Sequence, residues 1–387
     1  MSMRSYFNHY YFITDKKRKE KLWQKAVFVF DTSALLNFYK YSQSTKEELF
    51  SILKQVKGRL WIPHQVAQEF HAKRLDVICH RRQDLEQKCN ELKKGFNKVR
   101  HVINELKTYN WESIKRRLSR LEKDALKILY QAEEEVPDFF EDKVLHKLTL
   151  LFNENCGKPF AEEERKKLIE EGKERYKNKI PPGYLDENKE GNYKFNDYLI
   201  WAQIINFARE RRVPVILVID DKKEDWWLKV EDDLIAPRPE LIKEFYDETK
   251  NYFWCYTSDR FFEELKQSLK LSIVNEEKFE EAINELKKVQ EAISSTIIAK
   301  QQQEILRKLL EQLPETYKPD NTLSFAQLNL ENLRLMELRK AYESFLRRIL
   351  HSQQHKVDFT EPEGEGKSLQ GDEESENNQG KDEPSED

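Results

Sequence analysis

Two continuous apolar runs that end on acidic residues stand out along the chain. Val27–Phe30 leads into Asp31, and Val213–Ile219 leads into Asp220 and Asp221. Neither run alternates with polar residues, which is typical of strands covered on both faces in a parallel sheet. Helical patterns lie next to both runs. The pattern therefore predicts an α/β fold with acidic residues at the carboxyl edge of its sheet.

Two shorter runs complete the predicted sheet. Arg59–Ile62 ends at Pro63, which we expect to open the following helix, and Phe253–Tyr256 precedes another helix. A further helix is expected to start near Asn196 or Asp197, after a loop rich in proline and glycine. Strands that alternate with helices in this way favour parallel pairing.

Long helical patterns separate the second strand from the third. Helices are predicted from about His64 to Lys107, from about Glu112 to Glu134 and from about Ala161 to Lys177. We interpret residues 75–180 as a helical insertion. The pattern becomes helical again from about Glu276.

These elements predict a chain of several parts. Residues 1–25 form an N-terminal segment and residues 26–270 the α/β domain that contains the insertion. Residues 271–354 form a C-terminal helical region, and residues 355–387 a disordered acidic tail.

Charge is distributed unevenly along the chain. Residues 357–387 carry 12 acidic and 2 basic side chains, a net charge of −10, so the overall −4 leaves +6 for residues 1–356. Residues 71–120 carry 14 basic and 6 acidic side chains, a net charge of +8. Such a segment suits contact with phosphate backbones, although long solvated helices are also often basic.

Several classes of protein do not fit the composition. No apolar run reaches the ~20 residues of a membrane span, and the N-terminus has no apolar core of signal-peptide length. The four cysteines are scattered without metal-type spacing, so zinc is not expected. We therefore expect a cytoplasmic protein with reduced thiols and no membrane partner.

Acidic residues from distant segments are predicted to share one edge of the sheet. Asp31 follows the first strand, and Asp220 and Asp221 follow a later one, while Glu69 and Asp197 lie in early turns of helices. Clustered carboxylates repel one another unless a cation neutralises them, and all-oxygen ligands favour Mg²⁺ or Mn²⁺. For Asp31 alone, capping the next helix is the simpler interpretation.

Four motifs occur in the order that is found in PIN-like nucleases: FDTSALLNFY, WIPHQVAQEF, FNDYLIWAQII and VIDDKKEDWW. The chain most resembles a bacterial PIN-like subgroup with a helical insertion and the loop form PPGY…DYLIW. The similarity spans about residues 26–265, and RPELIKEFYD at Arg238–Asp247 also resembles the subgroup. The resemblance implies a parallel sheet flanked by helices. Residues 275–387 have no counterpart in it.

The resemblance also implies roles for individual residues. Metal ligands are implied at Asp31, Glu69, Asp197 and Asp221, with Asp220 as the alternative fourth acid. Residues implied to contact the ligands or the substrate are Ser33, Asp225, Lys222 and Arg238.

The function implied is that of an endonuclease that uses Mg²⁺ or Mn²⁺ to hydrolyse RNA or single-stranded DNA, leaving 5′-phosphate and 3′-hydroxyl ends. Nucleases of this kind can serve as toxins or phage-defence effectors. One alternative is a catalytically weak PIN-like scaffold that acts as a nucleic-acid- or protein-binding module. With either function, a regulatory protein partner is expected on the C-terminal helices. A phosphatase with Asp31 as nucleophile fits poorly, because Ser33 replaces the second aspartate that such enzymes need.

Overall fold

The computed structural model of the protein describes residues 2–311, except residues 8, 12–14, 106–110, 190 and 232. The chain divides into two compact units, residues 1–303 and 304–387, and the contacts described below lie in the first. The predicted helical region beyond residue 311 and the predicted acidic tail lie outside the described residues.

A four-stranded parallel sheet forms the centre of the first unit, with strand order β2-β1-β3-β6. A separate antiparallel pair consists of β4 and β5. The strands are β1 (Val27–Phe30), β2 (Leu60–Trp61), β3 (Val215–Val218), β4 (Trp227–Val230), β5 (Asp233–Pro237) and β6 (Phe253–Tyr256). The α/β class and the parallel sheet are therefore confirmed.

Helices flank the sheet and extend from it. The first six are α1 (Met3–Tyr6), α2 (Lys16–Lys25), α3 (Thr32–Asn37), α4 (Gln43–Gln55), α5 (His64–Glu105) and α6 (Glu112–Glu134). The next six are α7 (Lys143–Phe152), α8 (Glu162–Lys177), α9 (Asn196–Arg211), α10 (Pro239–Thr249), α11 (Ser258–Leu269) and α12 (Glu276–Glu311).

Aromatic side chains fill the core on both faces of the sheet. On one face, Phe261 from α11 packs edge-on against Phe28 and Phe30 of β1. On the other, Trp201 from α9 packs against Phe253 of β6. All five side chains are fully buried, so the continuous apolar runs correspond to strands covered on both faces.

Three elements differ from the sequence prediction. Pro63 precedes the first residue of α5 instead of occupying its first turn. Helix α7 lies within the insertion where none was predicted, and its last residue, Phe152, packs against Phe30. The hairpin of β4 and β5 was also missed, because its short strands carry charged residues and only one end of each is buried.

The insertion begins as an arm made of α5 and α6. Glycine at position 95 does not interrupt α5, which runs for 42 residues. Helix α6 packs against α5 but has no fully buried residue along its 23 positions. The arm therefore presents most of its surface to solvent.

The first half of α12 belongs to the core of the first unit. Phe279, Ile283 and Leu286 are almost fully buried. Between them, Glu285 accepts hydrogen bonds from the Ser42 backbone and hydroxyl and from the Thr45 hydroxyl, at 2.5 to 2.7 Å. Helix α12 is thus anchored at the start of α4.

Arg59 attaches α2 to the sheet. Its guanidinium donates to the carbonyl oxygens of Trp23 and Ala26, at 2.6 to 2.8 Å, and lies 4.4 Å from the ring centre of Phe28. These carbonyls end α2 and have no partner within the helix.

We expect Arg59→Met to destabilise the protein by about 2 kcal/mol, because it removes charged hydrogen bonds and leaves part-buried carbonyls unpaired. Urea denaturation would measure the change. Arg209→Met removes an exposed ion pair with Glu248 and should cost about 0.5 kcal/mol or less. Equal effects of the two substitutions would contradict this assignment.

Candidate active site at the carboxyl edge of the sheet

Asp31 occupies the point where β1 ends and α3 begins. Its Oδ2 atom accepts from the backbone N–H of Ser33 at 2.8 Å and from the Ser33 hydroxyl at 2.6 Å. Asp31 therefore caps α3, as the simpler interpretation predicted. It also lies at the carboxyl edge of the sheet and is 8% exposed, so its capping role does not exclude a role in a site at this edge.

The hydroxyl of Ser33 links the two central strands. While it donates to Asp31, its oxygen accepts from the backbone N–H groups of Asp220, at 3.0 Å, and Asp221, at 3.2 Å. One side chain thereby holds the acid that follows β1 beside the segment that follows β3.

Asp220 and Asp221 point in different directions. Asp220 is 2% exposed and accepts from the Asn37 amide at 2.6 Å and from the Ser258 backbone and hydroxyl at 2.8 Å. Burial raises its pKa, although these hydrogen bonds oppose the rise. Asp221 is more open and pairs with Lys223, at 3.0 Å. Asp221, and not Asp220, therefore faces the other predicted acids.

Glu69 lies in the second turn of α5, next to Asp31 in space. Its Oε2 atom accepts from the Thr32 hydroxyl at 3.1 Å, and its Oε1 atom pairs with Lys73 one turn further along the helix. Burial raises the pKa of Asp31 to about 6, and the negative charges of Glu69 and Asp221 add to the rise against the Ser33 hydrogen bonds.

Asp197 lies in the first turn of α9, which begins at the same sheet edge. Its Oδ2 atom accepts from the Trp226 indole at 3.4 Å and lies 3.9 Å from the ammonium of Lys223. Burial raises its pKa well above the usual range, Lys223 opposes the rise, and Asp31 and Asp221 reinforce it. Glu69 and Asp221 are therefore close enough to raise the pKa of Asp31, and Asp31 and Asp221 close enough to raise that of Asp197.

A further acid, Asp186, was not predicted. It lies in the loop that precedes α9, is 6% exposed and accepts from Lys189 at 2.6 Å and Lys223 at 2.8 Å. Burial would raise its pKa, but these two lysines outweigh that effect and lower it. The loop form PPGY…DYLIW spans this position, so the sequence resemblance could have pointed to Asp186 as a further site acid.

Asp225 holds this loop in place. It is fully buried, and its Oδ2 atom accepts from the backbone N–H groups of Gly183 at 2.9 Å and Leu185 at 3.4 Å. Gly183 has a φ angle of +92°, and a Cβ there would lie 2.2 Å from the Tyr176 hydroxyl, so only glycine fits.

Lys223 lies among three of these acids. Its ammonium is 2.8 Å from Asp186, 3.0 Å from Asp221 and 3.9 Å from Asp197. Among the described residues, no three His, Cys, Asp or Glu side chains converge closely enough to hold a metal ion in this arrangement. The donors are nonetheless all carboxylate oxygens, which is the set that Mg²⁺ and Mn²⁺ favour.

The profile of a known family, described as a PIN-like domain, matches residues 27–241. The chain belongs to the PIN-like domain family. Members of the family are generally nucleases, which suggests contact with nucleic acid and makes this edge the candidate active site. No curated protein and no solved structure matches the chain.

The other predicted contacts of the PIN-like domain lie away from the acids. The ammonium of Lys222 donates to the Gln290 carbonyl at 3.1 Å and to the Ser294 hydroxyl at 2.8 Å, both on α12. Arg238 pairs with Glu240 at the domain surface.

In the described part of the chain, no helix has both the length and the apolar character for crossing a membrane.

The raised pKa of Asp31 predicts a pH-dependent cost to stability. The pKa of Asp31 is higher in the folded than in the unfolded protein. Its ionisation therefore lowers the free energy of unfolding as the pH rises from about 4 to about 6. In chelator, Asp31→Asn should therefore be more stable than the parent at pH 8, by roughly 2–3 kcal/mol, but not at pH 4. Asparagine can still cap α3.

Thermal and urea unfolding at both pH values would measure the difference. Asp247→Asn controls for the loss of one exposed carboxylate outside the site. A parent protein that matched Asp31→Asn at pH 8 would contradict the electrostatic account of this edge.

Proposed function

We propose that the protein is a divalent-metal-dependent endonuclease that hydrolyses phosphodiester bonds in RNA or single-stranded DNA. One observation carries the proposal. Asp31, Glu69, Asp197 and Asp221 come from four separate segments and lie near one another at the carboxyl edge of the sheet in a PIN-like domain. Their mutual repulsion suits a site that binds a cation.

Mg²⁺ or Mn²⁺ fits the chemistry of these side chains. The residues that would hold it are Asp31, Glu69, Asp197 and Asp221. When bound, such an ion supplies positive charge that stabilises the phosphate and activates water. The Oδ2 atom of Asp31 is engaged by Ser33, while among the described residues its Oδ1 atom accepts no hydrogen bond and is free to bind a cation.

Other residues of the PIN-like domain support these acids. Ser33 orients Asp31 and fixes its distance from Asp221. Asp220 anchors the segment after β3 through Asn37 and Ser258. We therefore assign Asp220 a positioning role and Asp221 the role of a ligand.

Helix α6 carries a basic stripe that suits contact with the phosphate backbone. Its members are four exposed residues spaced four, three and four positions apart: Arg116, Arg120, Lys123 and Lys127. This spacing places them on one helix face. Within the described residues, none of them forms an ion pair, so their charges are available to a substrate.

The alternative is a PIN-like scaffold that binds nucleic acid without efficient cleavage. The position of Lys223 among the acids favours it, since the ammonium already neutralises part of their charge. This scaffold would bind labelled strands but leave them uncut with either metal.

Two finer assignments stay predictions. One is a role as a toxin or phage-defence effector, which only the family resemblance supports. The other is a regulatory protein partner on the C-terminal helices, most of which lie outside the described residues.

We expect the parent protein to cut labelled single-stranded RNA or single-stranded DNA with Mg²⁺ or Mn²⁺ and to leave it intact in chelator. Asp221→Asn should reduce the cleavage rate on the order of 100-fold or more, because it removes a negatively charged ligand of the cation that stabilises the reacting phosphate. It should not lower the melting temperature. Asp220→Asn should instead lower the melting temperature, because Asp220 is buried and hydrogen-bonded.

Gel assays on single strands and duplexes, with melting curves for each variant, would test this. Asp247→Asn should behave like the parent. Cleavage that persists in chelator, or an Asp221→Asn protein as active as the parent, would overturn the proposed function.

Substituting the stripe should weaken binding to all sequences alike. Glutamine at Arg116, Arg120, Lys123 and Lys127 should reduce the slope of log K against log salt by about 3 for a single strand. The control replaces four exposed lysines elsewhere with glutamine: Lys16, Lys17, Lys166 and Lys167. Fluorescence anisotropy across a salt series would measure both slopes, and equal slopes for the two variants would exclude the stripe.

A further inference from the structure

Lys223 is the shared cation of the candidate active site. Among the described residues it is the only ion-pair partner of Asp197 and Asp221, while Asp186 also has Lys189. Three carboxylates and one ammonium leave excess negative charge, even with Lys189 counted on Asp186. The ammonium thus holds together side chains that would otherwise repel one another.

The backbone fixes this lysine at the site. Its N–H donates to the Asp221 carboxylate at 3.1 Å, and its carbonyl accepts from the N–H groups of Trp226 and Trp227 at 3.2 Å. Lys222, one residue earlier, projects to the opposite side and binds α12. Only one of two adjacent lysines therefore reaches the acids.

The ammonium itself is held less firmly than the backbone. The Lys223 side chain is 29% exposed, and its contact with Asp197 is 3.9 Å long. Lysine carries a compact charge on a flexible stem, so the ammonium can move while the backbone stays in place. After such a movement the ammonium would still be paired with Asp186.

We infer that Lys223 competes with the divalent cation for the oxygens of Asp197 and Asp221, and that cation binding displaces its ammonium towards Asp186. This inference depends on the proposed function, because it requires a cation at these acids. Lys223 is then a positioning residue. It stabilises the empty site and, for the same reason, weakens cation binding.

The test compares the parent with Lys223→Gln, which keeps much of the side-chain length and removes the charge. In chelator, Lys223→Gln should melt at a lower temperature than the parent, because its acids lose their counter-ion. In a Mn²⁺ titration, its half-saturating concentration should fall on the order of tenfold, as expected when a unit charge about 4 Å from the ligands is removed.

Mn²⁺ binding is measured directly, by equilibrium dialysis and by the melting temperature, so the result does not depend on cleavage. Lys222→Gln is the matched control, since it removes the same charge one residue away but on the other side of the segment. Lys189→Gln is a second control, because Lys189 contacts Asp186 alone among the three acids. Both controls should keep the parent's Mn²⁺ midpoint within about twofold, because neither contacts Asp197 or Asp221.

If Lys223→Gln does not fold in chelator, Lys223→Arg serves instead. Arginine retains the charge and can bind two carboxylates with its planar fork, so Mn²⁺ should bind this variant more weakly than the parent. Equal or tighter binding by Lys223→Arg would overturn the inference.

The remaining outcomes separate the inference from the proposed function. If the parent binds Mn²⁺ and Lys223→Gln binds it no more tightly, the inference fails and the proposed function stands. Binding by Lys223→Gln but not by the parent would support competition in its strongest form. If neither protein binds Mn²⁺, both the inference and the proposed metal site fail.

Discussion

Repulsion among carboxylates at one edge of the sheet is the constraint on which the arrangement of this PIN-like domain depends. The parallel alignment of β1 with β3 brings Asp31 and Asp221 to the same edge, where the burial of Asp31 makes its charge harder to screen. The fold offsets this cost with a few specific contacts. The Ser33 hydroxyl stabilises Asp31, and the Lys223 ammonium lies against Asp221.

Some of the side chains at this edge connect two elements. Ser33 belongs to α3 but bonds to the backbone after β3. Asp225 follows β3 in sequence but fixes the loop before α9. Removing either residue would therefore disturb two segments of the edge at once.

Local patterns in the sequence were sufficient for much of this picture. The apolar runs and the acids that follow them predicted the central strands, and the structure brings Asp31, Glu69, Asp197 and Asp221 to a common edge. This prediction was possible because parallel strands end at the same edge of a sheet. The position of an acid just after such a strand is therefore enough to place it at that edge.

Other features could not be predicted in this way. Lys222 and Lys223 are chemically identical neighbours, and only the course of the backbone after β3 decides which one meets the acids. Asp186 reaches the site because its loop folds back onto Asp225. One tertiary partner of α2 is Arg59, which lies 34 residues beyond the end of that helix, so the charged sequence of α2 gave no sign of this contact.

Because α5 is uninterrupted, it fixes the distance between the sheet edge and the far end of the arm. The helix contains Glu69 near its start and Glu105 at its end, and no proline lies between them. At 1.5 Å per residue the two positions are about 54 Å apart along a single helix axis. Side chains at the far end of the arm are therefore too distant to touch the carboxylates at the sheet edge.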